Sequence, residues 1–252
     1  MPLTEIPLPP PDATLPENVA SFIANTEARI DQLFATEQNK RTPRFLPSDP
    51  ALFYNALAYI TDEKIPVGKT FCEWGSGLGV NTSIASLLGY DAYGLEIETS
   101  LIKIAEELAA DNAVPSATFV ATSYIPEGIE TFEAIDGTDL VDPDTPPSHD
   151  DLSYEGLPHS ADEFDVIFNY PWPGDQDFSH KFFEHIAAEG TVIITYYGDG
   201  EITAHVKTAK ESAEKSLDDD FDDFDDDDEP GDDDGTSNDD IDDEDEDDRW
   251  EN

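Results

Sequence analysis

A glycine-rich turn at residues 73–79 carries the strongest chemical signal in the sequence. It reads EWGSGLG and lies between a predicted strand and a predicted helix. Gly75, Gly77 and Gly79 allow the backbone to turn tightly and let a ligand approach without obstruction by side chains. Val80 stands where a dinucleotide-binding fingerprint requires its third glycine. The turn therefore predicts a ligand site and counts against NAD or FAD.

Two carboxylates accompany this turn. Glu73 precedes the first glycine by two positions, and Glu96 closes the next predicted strand, 21 residues beyond Gly75. At the end of such a strand, a carboxylate can accept hydrogen bonds from both hydroxyls of a ribose. In this register with the turn, Glu96 is predicted to bind a ribose.

The elements that position these residues alternate along the chain. Predicted strands cover residues 69–73, 91–97, 117–122, 164–169 and 191–197, and predicted helices cover residues 80–88, 100–112 and 178–188. Such alternation favours a parallel sheet with right-handed crossovers. A turn signal at residues 198–200 and alternation over residues 201–206 predict one additional, antiparallel edge strand.

The remaining segments set the predicted domain organisation. Residues 1–15 are Pro-rich and expected to be extended or disordered. Residues 16–62 hold two helices, one over 17–34 and one from Pro50 to Ile60, capped by Ser48 or Asp49. Residues 63–210 form the ligand-binding domain. Within it, residues 126–135 are expected to include a short helix, and the acidic loop 136–163 is either a lid or disordered. Residues 217–252 are expected to be a disordered acidic tail.

From Leu46 to Lys207 the chain resembles the class I S-adenosylmethionine-dependent methyltransferases. The resemblance implies a Rossmann-like three-layer αβα sandwich with a mostly parallel sheet, and S-adenosyl-L-methionine as cofactor. The chain is expected to have fewer than the seven strands common in that family. Many relatives carry an acid after the third strand near the adenine, whereas this sequence has hydroxyl residues there. The cofactor-binding residues that the resemblance implies are Glu73, Gly75, Ser76, Gly77, Gly79, Glu96, Ile97, Thr122 and Ser123.

The fourth predicted strand ends in Asn169-Tyr170-Pro171-Trp172. This stretch resembles the N/D-P-P-Y/F/W motif of the amino-methylating members of that family. The resemblance implies that Asn169 and the carbonyl after it accept hydrogen bonds from a target amine, and that Trp172 stacks on the target. Tyr170 replaces a residue that is usually Pro or small and aliphatic, so nitrogen is not fixed as the acceptor atom. All four residues are predicted to be catalytic.

Composition limits the partners. Sixty acidic residues face twelve basic ones, a formal net charge of −48, which argues against bare nucleic acid as a partner. A single cysteine, Cys72, allows no internal disulfide and no multi-cysteine metal site. His180 and His185 lack the i, i+4 spacing of paired ligands, and no metal is predicted. With no signal-peptide pattern and no apolar stretch long enough for a membrane span, a cytoplasmic location is expected.

Three functions remain open at this stage. The first is S-adenosylmethionine-dependent methyl transfer to a small molecule or a basic protein, with nitrogen as one candidate acceptor atom. The second is a non-catalytic module of the same fold that engages a basic protein partner. The third, aminopropyl transfer, is disfavoured because the stretch at residues 169–172 lacks the acidic residue expected for it. No feature of the sequence indicates an oligomeric state.

Overall fold

The computed structural model describes residues 3–11, 14–35, 45–129, 131–133, 139–141 and 147–209. All of them belong to one compact unit, residues 1–211. The helices are α1 (Glu17–Ala35), α2 (Pro50–Asp62), α3 (Val80–Leu87), α4 (Thr99–Asp111) and α5 (Gln176–Ile186). The strands are β1 (Leu3–Ile6), β2 (Thr70–Trp74), β3 (Asp91–Leu95), β4 (Ala117–Val120), β5 (Thr131–Glu133), β6 (Asp139–Val141), β7 (Val166–Asn169), β8 (Val192–Gly198) and β9 (Glu201–Lys207). Every helix and strand named from the sequence over residues 17–34, 50–60, 69–122 and 164–206 is confirmed to within two residues at each end.

The main sheet has the strand order β1-β9-β8-β7-β2-β3-β4. Strands β4, β3, β2, β7 and β8 pair in parallel, and β9 pairs antiparallel with β8. The chain therefore moves outward from β2 in one direction to β4, and then returns to the other side of β2 with β7. A crevice forms at such a switch point, outside the carboxyl ends of the strands.

Strand β1 corrects two expectations, one about disorder at the N-terminus and one about the number of strands in the sheet. Leu3 pairs with Lys207 and Ile6 with Ala204, antiparallel to β9. Residues 3–6 are therefore not disordered, and the sheet has seven strands in the described part of the chain rather than fewer. Without β1, one edge of β9 would leave a row of backbone groups unpaired. Ile6 adds apolar contact, since it is only 7% exposed within the core.

Helices and sheet form three layers, which confirms the predicted fold class. Side chains alternate across the sheet, so that Phe168 faces one layer and Ile167 the other. One core packs α1, α2 and α3 against the sheet, with Phe53 and Leu57 fully buried. The opposite core packs α5 and part of residues 147–164 against it. None of the helices in the described ranges is long and apolar enough to cross a membrane.

The segment between β4 and β7 differs from its prediction. Strands β5 and β6 pair antiparallel, so the short helix expected over residues 126–135 is wrong. In the described part of the acidic loop, Leu152 and Tyr154 are buried, and the Tyr154 hydroxyl donates a hydrogen bond to the Tyr124 carbonyl at 2.7 Å. Residues 147–163 therefore cover one face of the sheet as packed structure. The predicted acidic tail lies outside the described residues.

Candidate functional site

A cavity of about 470 Å³ lies at the carboxyl ends of the central strands. That volume is in the range of small-molecule and cofactor sites. Its lining includes the ends of β2, β3 and β7, residues after β4, one side of α1 and residues 45–48. The cavity thus occupies the crevice that the strand order creates. Twelve of the thirteen predicted site residues line it: Glu73, Gly75, Ser76, Gly77, Glu96, Ile97, Thr122, Ser123, Asn169, Tyr170, Pro171 and Trp172.

The three glycines of the turn do different things. All have positive φ, and a Cβ on Gly75 would meet nothing within 4 Å, so this position opens into free space beside the cavity. A Cβ on Gly77 would approach the Phe45 ring to 2.9 Å. Gly79, the thirteenth predicted residue, does not line the cavity, and its Cβ would lie 2.2 Å from the Phe119 ring. Its role as a cofactor contact stays a prediction, and the structure shows that this glycine permits close packing at the start of α3.

Glu73 organises the floor of the cavity from a buried position, with 4% of the residue exposed. One carboxylate oxygen accepts hydrogen bonds from the Thr82 backbone N–H at 2.9 Å and the Thr82 hydroxyl at 2.5 Å. The other accepts from Asn81 Nδ2 at 2.9 Å. Burial raises the pKa of Glu73 from 4.5 to about 7, against these hydrogen bonds, which favour the ionised form. Glu73 thus shapes the cavity by orienting Asn81 and Thr82 through these hydrogen bonds.

Asn81 is a cavity residue that the sequence analysis missed. Its Nδ2 donates to Glu73 and, at 2.9 Å, to the Ser48 hydroxyl. Its Oδ1 is buried with no hydrogen-bond partner, so it is available to a donor on a ligand. A buried Asn one position inside a helix was the available sequence signal, but only the fold shows that Glu73 orients its amide.

Glu96 lies at the end of β3 as predicted. Its carboxylate accepts the Gly77 backbone N–H and the Glu98 backbone N–H, each at 2.9 Å. A carboxylate has about four acceptor positions, so both oxygens can accept further hydrogen bonds from a ligand. Ile97 follows it with 62% of its surface exposed. This pair offers a polar contact beside an apolar surface, which suits a ribose carrying a planar base.

The end of β7 brings an amide and aromatic rings to the same cavity. Asn169 is 3% exposed, and its Oδ1 has no hydrogen-bond partner. Trp172 is 48% exposed. Tyr170 also packs edge-on against Tyr196, with ring centroids 4.8 Å apart, so part of its role is structural. A buried acceptor without a partner beside an exposed indole is an arrangement that fits a hydrogen-bond-donating ligand.

The N-terminal helices and their connection supply walls that sequence reasoning underestimated. Residues 45–48, in the connection between α1 and α2, line the cavity. Helix α1 adds Thr26, Glu27 and Asp31 to the lining. These residues were assigned no part in the site by the sequence analysis. Tyr54 on α2 packs against the core and does not line the cavity. No group of three or more potential metal ligands was found among the described residues.

No protein-family model matches the chain, and no curated protein matches it. An RNA methyltransferase from Salinibacter ruber, solved with S-adenosyl-L-homocysteine, has 15% identity and a TM-score of 0.43, covering 69% of this chain and 99% of that chain. An S-adenosylmethionine-dependent methyltransferase from Clostridium acetobutylicum has 12% identity and a TM-score of 0.38, covering 69% of this chain and 56% of that chain. Magnesium protoporphyrin IX methyltransferase from Synechocystis, solved with bound S-adenosyl-L-homocysteine, has 14% identity and a TM-score of 0.37, covering 58% and 54%. Similarity at this level carries no argument about activity, and the fold class rests on the sheet order and layers described above.

Proposed function

We propose that this protein binds S-adenosyl-L-methionine and transfers its methyl group to an acceptor that enters the same cavity. The observation that carries the proposal is the cavity at the sheet switch point, where Gly75 leaves open space and Glu96 closes β3. Buried acceptor atoms without partners, among them Asn81 Oδ1 and Asn169 Oδ1, can accept hydrogen bonds from a ligand that donates them. An amino acid joined to a nucleoside has such donors at both ends.

The residues divide between the two ends of the cofactor. Glu96 accepts the ribose hydroxyls, with Ile97 against the adenine and Thr122 or Ser123 near its amine. Asn81, held by Glu73, accepts the ammonium of the methionine part. S-adenosyl-L-methionine supplies an electrophilic methyl group on a sulfonium. The chain's own residues bind the cofactor, orient the acceptor and exclude water.

The acceptor is oriented by the end of β7. Asn169 Oδ1 accepts a hydrogen bond from the acceptor and directs its lone pair, while Trp172 packs against it. When bound, the cofactor would supply its methyl group to the lone pair of the acceptor, and the electrons of the broken carbon–sulfur bond would stay on sulfur. The proton that the acceptor releases would pass to water. A nitrogen acceptor fits because an amine supplies both the N–H and the lone pair.

Calorimetric titration with S-adenosyl-L-methionine and S-adenosyl-L-homocysteine tests the proposal, with NAD as a negative control. Micromolar binding is expected for the first two, with at least tenfold weaker binding in Glu96→Ala. Glu63→Ala, an exposed carboxylate outside the cavity, serves as the matched control and should bind as the wild type does. No binding by folded protein would refute the cofactor assignment.

Turnover separates an enzyme from the non-catalytic alternative. Once an acceptor is found, Asn169→Ala should abolish methyl transfer while leaving cofactor binding nearly intact, because Asn169 is assigned to the acceptor. Cofactor binding without turnover on any acceptor, together with binding to a basic protein, would favour the module. A cytoplasmic location and a small-molecule or basic-protein acceptor are part of this proposal.

A further inference from the structure

We infer that the acceptor is a small aliphatic amine with more than one positive charge, held by carboxylates at the rim of the cavity. This inference rests on the proposed function and concerns the same cavity. Besides the predicted cofactor residues, four exposed acidic residues line it: Glu27 and Asp31 on α1, Glu98 next to Ile97, and Asp175 in the turn before α5. The inference concerns all of them except Glu98, which adjoins the predicted adenine contact.

The three carboxylates come from separate parts of the fold. Glu27 and Asp31 are four residues apart on α1, which places both on one face of the helix. Asp175 follows the β7 turn, where its backbone N–H donates to the Trp172 carbonyl at 2.9 Å. Carboxylates on α1 and in the turn before α5 can each pair with a separate cationic group of a ligand. Their placement therefore favours a ligand with several cationic groups.

Among the described residues that line the cavity, no cationic side chain neutralises these charges. None of the described residues that line it is Lys, Arg or His. The ion pair that the structure shows for α1 joins Arg29 to Glu107, away from the cavity. The lining therefore repels anions such as phosphate and attracts cations at the rim. The described lining disfavours phosphorylated or carboxylate-rich acceptors on the same ground.

A second observation points to a ligand with N–H donors. Asn169 lines the cavity and is buried to more than nine-tenths, and its Oδ1 has no hydrogen-bond partner. The rim also bears exposed apolar side chains, Leu46 and Trp172. An aliphatic polyamine matches this combination, since ammonium groups meet the carboxylates while methylene segments cover the apolar surface. Trp172 adds a favourable face for an ammonium group.

An acceptor with several amino groups can react at one nitrogen while its other ammonium groups stay bound. The reacting nitrogen must be the neutral amine, so one ammonium first gives its proton to water or a rim carboxylate. Its lone pair then takes the methyl group from the sulfonium, and the product nitrogen carries the positive charge that sulfur loses. The remaining ammonium groups stay charged throughout and keep the acceptor against Glu27, Asp31 and Asp175.

The test uses the full chain loaded with S-adenosyl-L-homocysteine and titrated with spermidine, 1,4-diaminobutane and 1-aminobutane. Affinity should rise with the number of charges and fall as salt is added, because exposed charges are screened. The triple variant Glu27→Gln, Asp31→Asn, Asp175→Asn should bind spermidine roughly tenfold more weakly, since each exposed ion pair contributes a few-fold in affinity. Glu63→Gln is the matched control and should change nothing.

The outcomes separate this inference from the proposed function. Failure to bind S-adenosyl-L-homocysteine would refute both. Binding of that ligand with equal affinity for the three amines, or with no effect of the triple variant, would refute the polyamine acceptor alone. With S-adenosyl-L-methionine present, mass spectrometry should show N-methylated spermidine. Methylation of a Lys-rich peptide in place of the amines would also overturn the inference.

Discussion

Replacing Glu73 by Gln should change how stability depends on pH, in one direction only. Burial raises the pKa of Glu73 to about 7 in the folded protein, against 4.5 for an ordinary glutamate. Between these values the folded state holds a proton that the unfolded state has lost. The free energy of unfolding therefore falls as pH rises through this window. A difference of 2.5 pH units, at 1.36 kcal/mol per unit, gives ~3 kcal/mol.

The assay is urea unfolding of the wild type and of Glu73→Gln between pH 4 and pH 8. Gln keeps the shape but carries no charge, so any loss of the hydrogen bonds to Asn81 and Thr82 enters as an offset that is constant with pH. The rest of the titrating chain is common to both proteins and cancels in their difference. We expect the variant to gain up to ~3 kcal/mol relative to the wild type as pH rises from 4 to 8.

Parallel pH profiles for the two proteins would refute the reasoning, because they would mean that Glu73 titrates as an ordinary glutamate. A relative loss by the variant at high pH would refute it more strongly. That result would show that the three hydrogen bonds to this carboxylate outweigh its burial. Glu63→Gln, on the exposed surface, controls for the general effect of removing one acid.

Two further predictions concern the glycine turn and a pair of histidines. Gly79→Ala should cost ~3 kcal/mol in urea unfolding, because its φ is positive and a Cβ would lie 2.2 Å from the Phe119 ring. Gly75→Ala should cost only ~1 kcal/mol yet weaken S-adenosyl-L-homocysteine binding at least tenfold; equal stability losses would contradict the distinction between the two glycines. Burial lowers the pKa of His205, and of His180 beside it, so the unfolded state takes up protons first as pH falls below about 6.5. The wild type should therefore lose stability relative to His205→Gln between pH 7 and pH 5 in thermal unfolding, and a relative gain would be the contrary result.

Much of the sheet could be predicted because its signals are local. Glycines 75, 77 and 79 mark the turn between β2 and α3, and the apolar runs of β7 and β8 end in recognisable turns. Strand β1 had no such signal. Four residues are too short for a pattern, and the partner strand lies about two hundred residues later, Leu3 opposite Lys207. Pairing at that separation depends on the whole fold.

The positions of Glu96 and Asn169 in the candidate site could be predicted from the sequence. Glu96 and Asn169 lie at strand ends, and strand ends were predictable. The motif treats its three glycines alike, whereas packing against Phe119 distinguishes Gly79 from the two that line the cavity. The part played by α1 was missed for a related reason. Sequence periodicity shows that a helix has a polar face, and only the tertiary structure shows that Glu27 and Asp31 on that face border a cavity.

The pairing of β1 with β9 also sets the order in which this domain can be completed during synthesis. The segment at residues 3–6 leaves the ribosome before every other strand of this sheet, but its partner, residues 201–207, is the last strand to appear. At about 5–20 residues per second, the first strand waits ten seconds or more for its place. Throughout that time the core position of Ile6 is empty, and the sheet of the nascent chain lacks both β9 and β1.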